Sequence, residues 1–397
     1  MAASLSMFCS SLSTNGMVFY LSRSRLISRR TVSNFKGENK AVRRPSSGYF
    51  PVLSRPAVWR TLRVLNDGEE TTIMRYIIYG AGGIGGTLGA GLSAAGIEVV
   101  LIARGEHLSA LKREGLTYKR PGNTENVRLN ALGHPSEVAW QPDDVVIMTM
   151  KSQHMFGALN DLAAAAPASI SLVCCQNGVG NEHMASRFFQ HVYGMVVMLP
   201  ATHLTPGVVL HHAAEDPGGF LDAGCYPGGV DATIEAICAD LTRSGFSANA
   251  DPRAMRWKYA KMLQNLGNAV QVVCQSDDDI RPLIKKLRDE ALACYEAAGV
   301  DCASADDMRE RFSGMKTGPI DGETRGGGSS WQSVERGTGD VEADYLNGEI
   351  CLMGRLHDVA TPANEVIRQL ANSIARTRQP AGQYSVAQVS QRILDAT

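Results

Sequence analysis

Four polar residues in one stretch of the chain have the types and spacing needed to move a proton to or from a small molecule. They recur at intervals of three or four residues, which places them on one face of a helix predicted over 252–274: Lys258, Lys261, Asn265 and Asn268. Neither lysine has an acidic residue nearby on this face to pair with. A lysine that faces a cleft is partly desolvated, which lowers its pKa and suits it to general-acid work. The alternative is a packed helix whose lysines reach out to solvent.

Two more polar residues follow predicted strands. Lys151 comes directly after the apolar run 144–150, and Asn177 follows shortly after the next run, 171–175. Ligands of an open parallel sheet lie outside the carboxyl ends of its strands, so we expect both side chains beside one cleft. A solvated lysine and an Asn-Gly turn are the alternative interpretation.

Two further candidate substrate-binding residues lie near the end of a glycine-rich segment, 314–339, and just beyond it. Ser330 has a hydroxyl suited to a substrate carboxylate, and Glu342 can accept a hydrogen bond from a substrate hydroxyl. We predict Glu342 near the start of a helix over 340–357, and a long loop before it that covers the site, with a flexible linker as the alternative interpretation of that loop. A helix-capping serine and an ordinary first-turn glutamate are the alternatives.

The elements that must position these residues begin at a glycine-rich loop. The run Tyr76 to Tyr79 predicts a short buried strand, and a small-residue helix follows the GxGxxG pattern. The loop's glycines allow a tight turn, a close approach of phosphate oxygens and close packing of helix on strand, and the helix start offers free N–H groups to an anion. The residues predicted to bind the pyrophosphate are Gly80, Gly82, Gly83, Ile84 and Gly85.

The end of the next predicted strand indicates which dinucleotide is bound. An NAD-binding unit would have an acidic residue here to accept from the ribose 2′-hydroxyl, but this chain has Arg104. A guanidinium fits a 2′-phosphate through charge-assisted hydrogen bonds, which favours NADP. The alternative is that Arg104 is a surface residue and that Glu106 binds the ribose.

The alternation of strands and helices predicts an α/β fold. Strand-like runs separated by Ala-rich helices indicate a Rossmann-type NADP-binding domain over 75–250. Long helical segments then predict an all-helical substrate-binding domain over 251–378, with Asp251 as a candidate N-cap and helices near 280–299 and 362–376. We expect residues 379–397 to form a poorly ordered tail.

The first 66 residues differ in composition from the rest. They contain eleven Lys and Arg, twelve Ser and one acid, Glu38. An Arg- and Ser-rich, acid-poor leader is typical of an organelle transit peptide, which we predict over 1–70. Because its first 22 residues carry no charge, a plastid is favoured over a mitochondrion. A basic tail that binds an anionic surface is the alternative.

The remaining chain is acidic, which argues against a nucleic-acid partner. It has no apolar run of about 18 residues, so we predict no membrane span. The nine cysteines form no CxxC pair, so they are expected to be buried apolar residues and no metal site is predicted. We expect a small-molecule partner, and a homodimer is compatible with the sequence, which does not fix the oligomeric state.

Taken in order, these motifs resemble those of the ketopantoate reductase family. The likeness covers roughly residues 75–375 and is strongest in GAGGIGG, in QNGVGNE at 176–182, in the Lys261-to-Asn265 spacing of four, and in SSW…VEADYLNGEI. The chain departs from the family where Ala269 replaces a second helix asparagine and where Trp331 lacks the usual following aspartate.

The resemblance implies NADPH-dependent reduction of 2-dehydropantoate to pantoate, a step toward pantothenate and coenzyme A. It implies that Lys261 is the general acid, with Lys258 as its competitor, and that Asn265 and Glu342 bind substrate hydroxyls. By the same resemblance Ser330 binds the carboxylate, while Lys151 and Asn177 lie beside cofactor and substrate. The alternatives are a reductase of another 2-oxo acid, an opine-type dehydrogenase, and a non-enzymatic NADP-binding regulator.

Overall fold

The computed structural model describes residues 65–66, 69–70, 74–323 and 328–396. The predicted transit peptide lies outside the described residues, apart from two short antiparallel strands at its end, β1 (Leu65–Asn66) and β2 (Glu69–Glu70). Among the described helices, none combines the length and apolar character that crossing a membrane requires. The described residues also contain no cluster of His, Cys, Asp or Glu able to hold a metal ion.

The centre of the fold is a seven-stranded sheet whose central strands are buried on both faces. Its spatial order is β13-β10-β9-β8-β3-β4-β7, and each neighbouring pair is parallel except the edge pair of β10 with β13. The order changes direction between β3 and β8, which creates a crevice at the carboxyl ends of those strands. The strands of this sheet are β3 (Arg75–Tyr79), β4 (Val99–Ile102), β7 (Asn130–Leu132), β8 (Asp144–Met148), β9 (Ser171–Cys174), β10 (His191–Met195) and β13 (Ala223–Cys225).

A second, four-stranded sheet packs against the first helix. Its order is β11-β12-β5-β6, and its members are β5 (Leu116–Arg120), β6 (Asn123–Val127), β11 (Ala201–Thr202) and β12 (Val208–His211). The helices of the sheet-containing half are α1 (Gly83–Ala94), α2 (Gly105–Glu114), α3 (Met155–Ala165), α4 (Asn181–Ala185) and α5 (Ala232–Arg243). The prediction of an α/β half with a mainly parallel sheet is confirmed.

The chain beyond residue 253 is helical, as predicted. Its apolar side chains form a core of their own around Leu266, Leu287, Ile350 and Ile367. The helices are α6 (Ala254–Asn265), α7 (Gly267–Val273), α8 (Arg281–Ala298), α9 (Ala305–Arg311), α10 (Ser329–Glu335), α11 (Asn347–His357), α12 (Pro362–Arg376) and α13 (Val386–Asp395).

Several predicted boundaries differ from the structure. The helix expected over 252–274 is interrupted at Leu266, next to Gly267, where a Cβ would lie 3.2 Å from Ile284 on α8. The absence of a side chain there lets α7 and α8 lie close together. The N-cap of α6 is Arg253 and not Asp251, whose carboxylate instead accepts hydrogen bonds from the Arg253 N–H and the Trp257 indole N–H.

The segments around the glycine-rich stretch also differ from prediction. Part of the expected loop is helix α10. The helix expected over 340–357 begins only at Asn347, so Glu342 lies on a separate 3-10 turn before α11. The residues beyond 379 form α13, which begins with a capping box at Ser385 and packs on α12, so they are not a tail without structure.

The chain returns to the sheet-containing half after α9. Ala213 and Thr317 form an antiparallel bridge, flanked by backbone hydrogen bonds from Ala214 to Lys316 and from Gly318 to His212, both 2.9 Å long. We call this short pairing of 212–214 with 316–318 the return ladder. It fixes one end of the glycine-rich segment beside the second sheet.

Candidate active site

The glycine-rich loop joins β3 to α1 and has the geometry that a dinucleotide pyrophosphate requires. Gly80 has φ +110° and lies so close to Met150 that a Cβ would be 2.8 Å from its backbone nitrogen. At Gly85 a Cβ would be 2.1 Å from the Gly80 carbonyl oxygen, so helix and strand can approach only because this residue lacks a side chain. A Cβ on Gly82 would meet nothing within 4 Å, which leaves room for a phosphate.

The start of α1 completes this cradle. Its N-cap is Gly82, no side chain caps the helix, and its first turn contains no acidic residue. Gly83 and Ile84 begin the helix, so their N–H groups have no intrahelical acceptor and are oriented toward the open side. The positive end of the helix dipole therefore faces the space in which the residues fit a dinucleotide phosphate.

Arg104 follows β4 and serves as the N-cap residue of α2, with its side chain exposed. Glu106, the alternative ribose ligand, is also exposed and lies in the first turn of the same helix. Both positions are at the carboxyl end of β4, where a ribose would lie in this fold.

Lys261 projects from α6 to the carboxyl ends of the sheet strands. Its Nζ donates to Asn177 Oδ1 at 2.8 Å and also to the Val197 carbonyl oxygen. Burial lowers the pKa of Lys261 to about 8, the positive charge of Lys258 lowers it too, and Cys175 and Glu342 partly oppose the shift. An ammonium with such a pKa can both donate and regain a proton near neutral pH.

Lys258 has a different environment one turn earlier on α6. Its side chain is almost fully buried, and its Nζ donates to the backbone oxygens of Cys174, Gln176 and Met195 at 2.9–3.3 Å. Glu182, which is completely buried, places a carboxylate oxygen 2.7 Å from the same nitrogen as a counter-ion. The three N–H bonds are thus directed at carbonyls of neighbouring strands, and Lys258 serves to fix α6 against the sheet.

Lys151 and Glu342 lie at the carboxyl end of β8, in the same sheet. Lys151 Nζ donates to Ser333 Oγ of α10, and burial lowers the pKa of Lys151 while the Glu342 carboxylate raises it. Glu342 is buried, and its Oε1 accepts from the Ser152 backbone N–H at 3.2 Å. The 3-10 turn and α10 thus bring a carboxylate and a hydroxyl to the end of β8.

The hydrogen-bonded side chains of Ser152 and Asn181 connect the surroundings of Glu342 with those of Lys261. Ser152 Oγ donates to the Asn177 backbone oxygen at 3.3 Å, and Asn181 Nδ2 donates to both Ser152 Oγ and the Asn177 oxygen at 3.1 Å. The structure therefore brings Lys151, Asn177, Lys261 and Glu342 into one polar cluster. Of these four residues, Lys151 and Asn177 were expected beside one cleft, and the structure places them at the ends of the neighbouring strands β8 and β9.

The predicted substrate-binding residues lie on the helical side. Asn265 is one turn beyond Lys261, and its amide oxygen is buried with no hydrogen-bond partner among the described residues. Asn268 is on α7, where a Cβ on Gly328 would be 3.1 Å from its amide oxygen. Ser330 is buried on α10, which packs on α7. An unpartnered buried acceptor fits a residue whose donor is supplied by a bound molecule.

An open surface cavity of about 490 Å³ is bordered by residues 186–190 and 226–227 and contains none of these side chains. The candidate site is therefore defined by the network of hydrogen bonds that join its side chains, and not by this cavity. Sequence reasoning missed three members of that network, Ser152, Asn181 and Ser333, and also the counter-ion Glu182. Asn181 and Glu182 end the string QNGVGNE, so the string itself was the available signal, but nothing local showed what they contact.

A doubly wound sheet with a glycine-rich loop at its first strand, followed by a helical half that supplies a lysine, is the architecture of a dinucleotide-dependent oxidoreductase. The family model "Ketopantoate reductase PanE/ApbA" matches residues 76–225, and the model of its C-terminal part matches residues 254–375. The chain belongs to this family. It is an oxidoreductase of the 2-dehydropantoate 2-reductase type, for which the family and the fold support a nicotinamide cofactor and a small-molecule substrate.

Individual relatives are distant but match over nearly their full length. The chain is 25% identical over 317 residues to a 2-dehydropantoate 2-reductase of Pyrococcus horikoshii, covering 76% of this chain and 97% of the relative. A Mesorhizobium japonicum protein of the same name is 27% identical, with 77% and 99% covered.

Two solved structures share the fold. A PanE/ApbA family ketopantoate reductase from Ralstonia eutropha has a TM-score of 0.64 at 25% identity, covering 77% of this chain and 99% of that one. A D-mandelate dehydrogenase crystallised with NADH and anilino(oxo)acetate has a TM-score of 0.65 at 21% identity, with the same coverage. The second likeness shows the fold alone.

Proposed function

We propose that this chain reduces 2-dehydropantoate to pantoate with NADPH. The observation that carries the proposal is the position of Lys261, whose Nζ lies 2.8 Å from Asn177 Oδ1 at the carboxyl end of the sheet that holds the glycine-rich loop. A proton donor on the helical half thus reaches the edge of the sheet at which a nicotinamide cofactor is expected in this fold.

NADPH, when bound, supplies the hydride that reduces the carbonyl carbon. Lys261 supplies the proton to the carbonyl oxygen, where negative charge develops as the carbon is reduced. Because the pKa of Lys261 is about 8, most of this group is protonated at neutral pH, yet it gives up its proton far more readily than an exposed lysine. Asn177 holds the Lys261 Nζ in place, and the Val197 carbonyl accepts from the same nitrogen.

The remaining residues orient the substrate. Asn265, with its unpartnered amide oxygen, and Glu342 are proposed to accept from the hydroxyl group of the substrate and, after reduction, from the new hydroxyl of the product. Ser330 is proposed to donate to the carboxylate, with Asn268 beside it, and Lys151 is proposed to contact both cofactor and substrate. Glu342 is buried, and the nearby Glu342 carboxylate raises the pKa of Lys151, which favours the ammonium form of this lysine.

We further propose that the cofactor is NADPH and not NADH. Arg104 at the end of β4 is exposed and can form charge-assisted hydrogen bonds with a 2′-phosphate. Arg104→Ala should therefore weaken NADPH binding much more than NADH binding. Equal losses for the two cofactors would contradict the assignment and transfer ribose binding to Glu106.

The test of the reaction is a panel of 2-oxo acids assayed for NADPH oxidation with the full chain. 2-Dehydropantoate should exceed 3-methyl-2-oxobutanoate, which lacks the hydroxymethyl group, by at least about 10²-fold in kcat/KM, because a site built for a hydroxyl rejects an analogue without it. A preference for another 2-oxo acid, or for an amine co-substrate as in opine formation, would identify the alternative activity.

A regulator that only binds cofactor would bind NADPH and oxidise it with no member of the panel. Lys261→Ala should lower turnover by about 10²-fold or more. Lys285→Ala, which removes an exposed lysine paired with Asp289 on α8, is the matched control and should leave turnover unchanged. If Lys261→Ala also leaves it unchanged, Lys261 is not the proton donor.

A further inference from the structure

A histidine that no motif pointed to lies against the glycine-rich loop. His107 is on α2, and its Nε2 is 2.7 Å from the Ala81 carbonyl oxygen, while its Nδ1 accepts from the Gly207 backbone N–H at 2.9 Å. Because a backbone N–H can only donate, Nδ1 carries no proton, and the neutral ring has its proton on Nε2. The Nε2–H group therefore donates to Ala81.

This contact fixes the peptide unit that joins Ala81 to Gly82. The carbonyl of Ala81 and the N–H of Gly82 belong to the same planar trans unit, so they point in opposite directions. A donor that holds the Ala81 oxygen on one side directs the Gly82 N–H to the other. That other side is at the N-cap of α1, where a Cβ on Gly82 would meet no atom within 4 Å.

The imidazole is itself held rigidly. Its ring lies 4.2 Å from that of His203, whose Nδ1 is 2.9 Å from the Val208 carbonyl oxygen. Arg336, in the segment after α10, donates to the His203 carbonyl at 2.8 Å. Burial lowers the pKa of His107, and burial together with the facing His107 lowers the pKa of His203 to about 4, so both rings stay neutral at neutral pH.

We propose that His107 is a positioning residue for the cofactor: by donating to Ala81 it directs the Gly82 N–H toward the pyrophosphate of the bound dinucleotide. His107 contacts the glycine-rich loop only at the Ala81 carbonyl, so it acts through the loop and is not a catalytic residue. Its removal should raise the Kd for the dinucleotide and leave the chemical step at saturating cofactor unchanged. The proposal depends on dinucleotide binding at the loop and is independent of which 2-oxo acid is reduced.

Two substitutions separate the two hydrogen bonds of the ring. His107→Gln places an amide N–H near the Nε2 position and can still donate to Ala81. His107→Asn places an amide oxygen near the Nδ1 position, so it can still accept from Gly207 but cannot reach Ala81. His107→Phe keeps the ring and removes both hydrogen bonds. His191→Gln, at the exposed start of β10, controls for the loss of a histidine elsewhere.

The measurement is the Kd of NADPH by fluorescence titration of the full chain. His107→Asn and His107→Phe should raise Kd roughly three- to tenfold, the range for loss of one hydrogen bond, while His107→Gln and His191→Gln should remain within about twofold of the unsubstituted chain. The KM for the 2-oxo acid and kcat at saturating NADPH should not change. Equal Kd values for His107→Gln and His107→Asn, or an unchanged Kd for His107→Phe, would overturn the proposal.

A second measurement needs no substitution and remains informative if a variant does not fold. The ¹⁵N NMR signals of the His107 ring in the full chain should show a protonated Nε2 and a bare Nδ1. A neutral ring whose single proton is on Nδ1 could neither accept from Gly207 nor donate to Ala81, and that result would refute the inference whatever the activity of the enzyme.

Discussion

The two lysines of α6 lie one helical turn apart, and the structure gives them separable tasks. Replacing each by methionine tests the difference because most of the unbranched side chain is kept while the charged terminal nitrogen is lost. Lys258→Met should destabilise the fold, and Lys261→Met should abolish most turnover in a protein of nearly unchanged stability. The sequence alone left both lysines as candidates for the proton donor.

The magnitude for Lys258 follows from what surrounds it. Its removal leaves the carboxylate of Glu182, which is completely buried, without a counter-ion, and it leaves three backbone carbonyls without their donor. Breaking a buried pair from one side costs about 3–5 kcal/mol in the free energy of unfolding. In a chain of this size that corresponds to a fall in Tm of roughly 4–7 °C.

For Lys261→Met we expect a Tm within about 2 °C of the unsubstituted chain, since this side chain is only partly buried, and a loss of about 10²-fold or more in kcat. The assays are thermal unfolding followed by circular dichroism, and NADPH oxidation with saturating 2-dehydropantoate.

The double variant Lys258→Met with Glu182→Gln provides the control. It removes both charges of the pair, so it should recover much of the stability lost in Lys258→Met. If Lys258→Met instead lost turnover with an unchanged Tm, or if the double variant were less stable than Lys258→Met, the assignment of a structural role to Lys258 would be refuted.

Three further predictions concern pH, the glycine-rich loop and the leader. Since the pKa of Lys261 is about 8, kcat for reduction should fall as pH rises through about 8, whereas kcat for the oxidation of pantoate should rise over the same range. A kcat that does not change with pH in either direction would contradict the general-acid role. Gly85→Ala forces a Cβ to 2.1 Å from the Gly80 oxygen and should lower the free energy of unfolding by about 1–3 kcal/mol. Gly82→Ala should instead weaken NADPH binding with little change in Tm. Equal Tm values for the two variants would count against the close packing at Gly85. We propose that residues 1–66 direct the chain to a plastid: fused to a fluorescent protein they should deliver it there, mitochondrial delivery would favour the alternative, and cytosolic retention would exclude both.

The features that the sequence predicted well are those encoded by near neighbours in the chain. The glycine pattern, the apolar runs of the strands and the helical periodicity of Lys258, Lys261 and Asn265 are all local, and the structure has them in the predicted places. The positions of Lys151 and Asn177 at neighbouring strand ends could also be predicted, because ligands gather at the carboxyl ends of parallel strands.

What escaped prediction depends on contacts between distant segments. The helical spacing correctly showed that no acidic residue on α6 pairs with Lys258. Its partner, Glu182, comes from a different element. Likewise, the 3-10 turn at Glu342 and helix α10 at Ser333 are set by packing against α7 and the end of β8. Local propensity could not reveal them in a glycine-rich stretch.

The return ladder has a consequence for recombination between members of this family. Since residues 212–214 pair with residues 316–318 across the two halves, a chimera that exchanges everything after residue 251 joins one strand of the pairing to a foreign partner. Crossovers that keep both short segments from the same parent preserve the pairing together with the side chains that pack beside it, so natural or engineered hybrids should inherit these segments together.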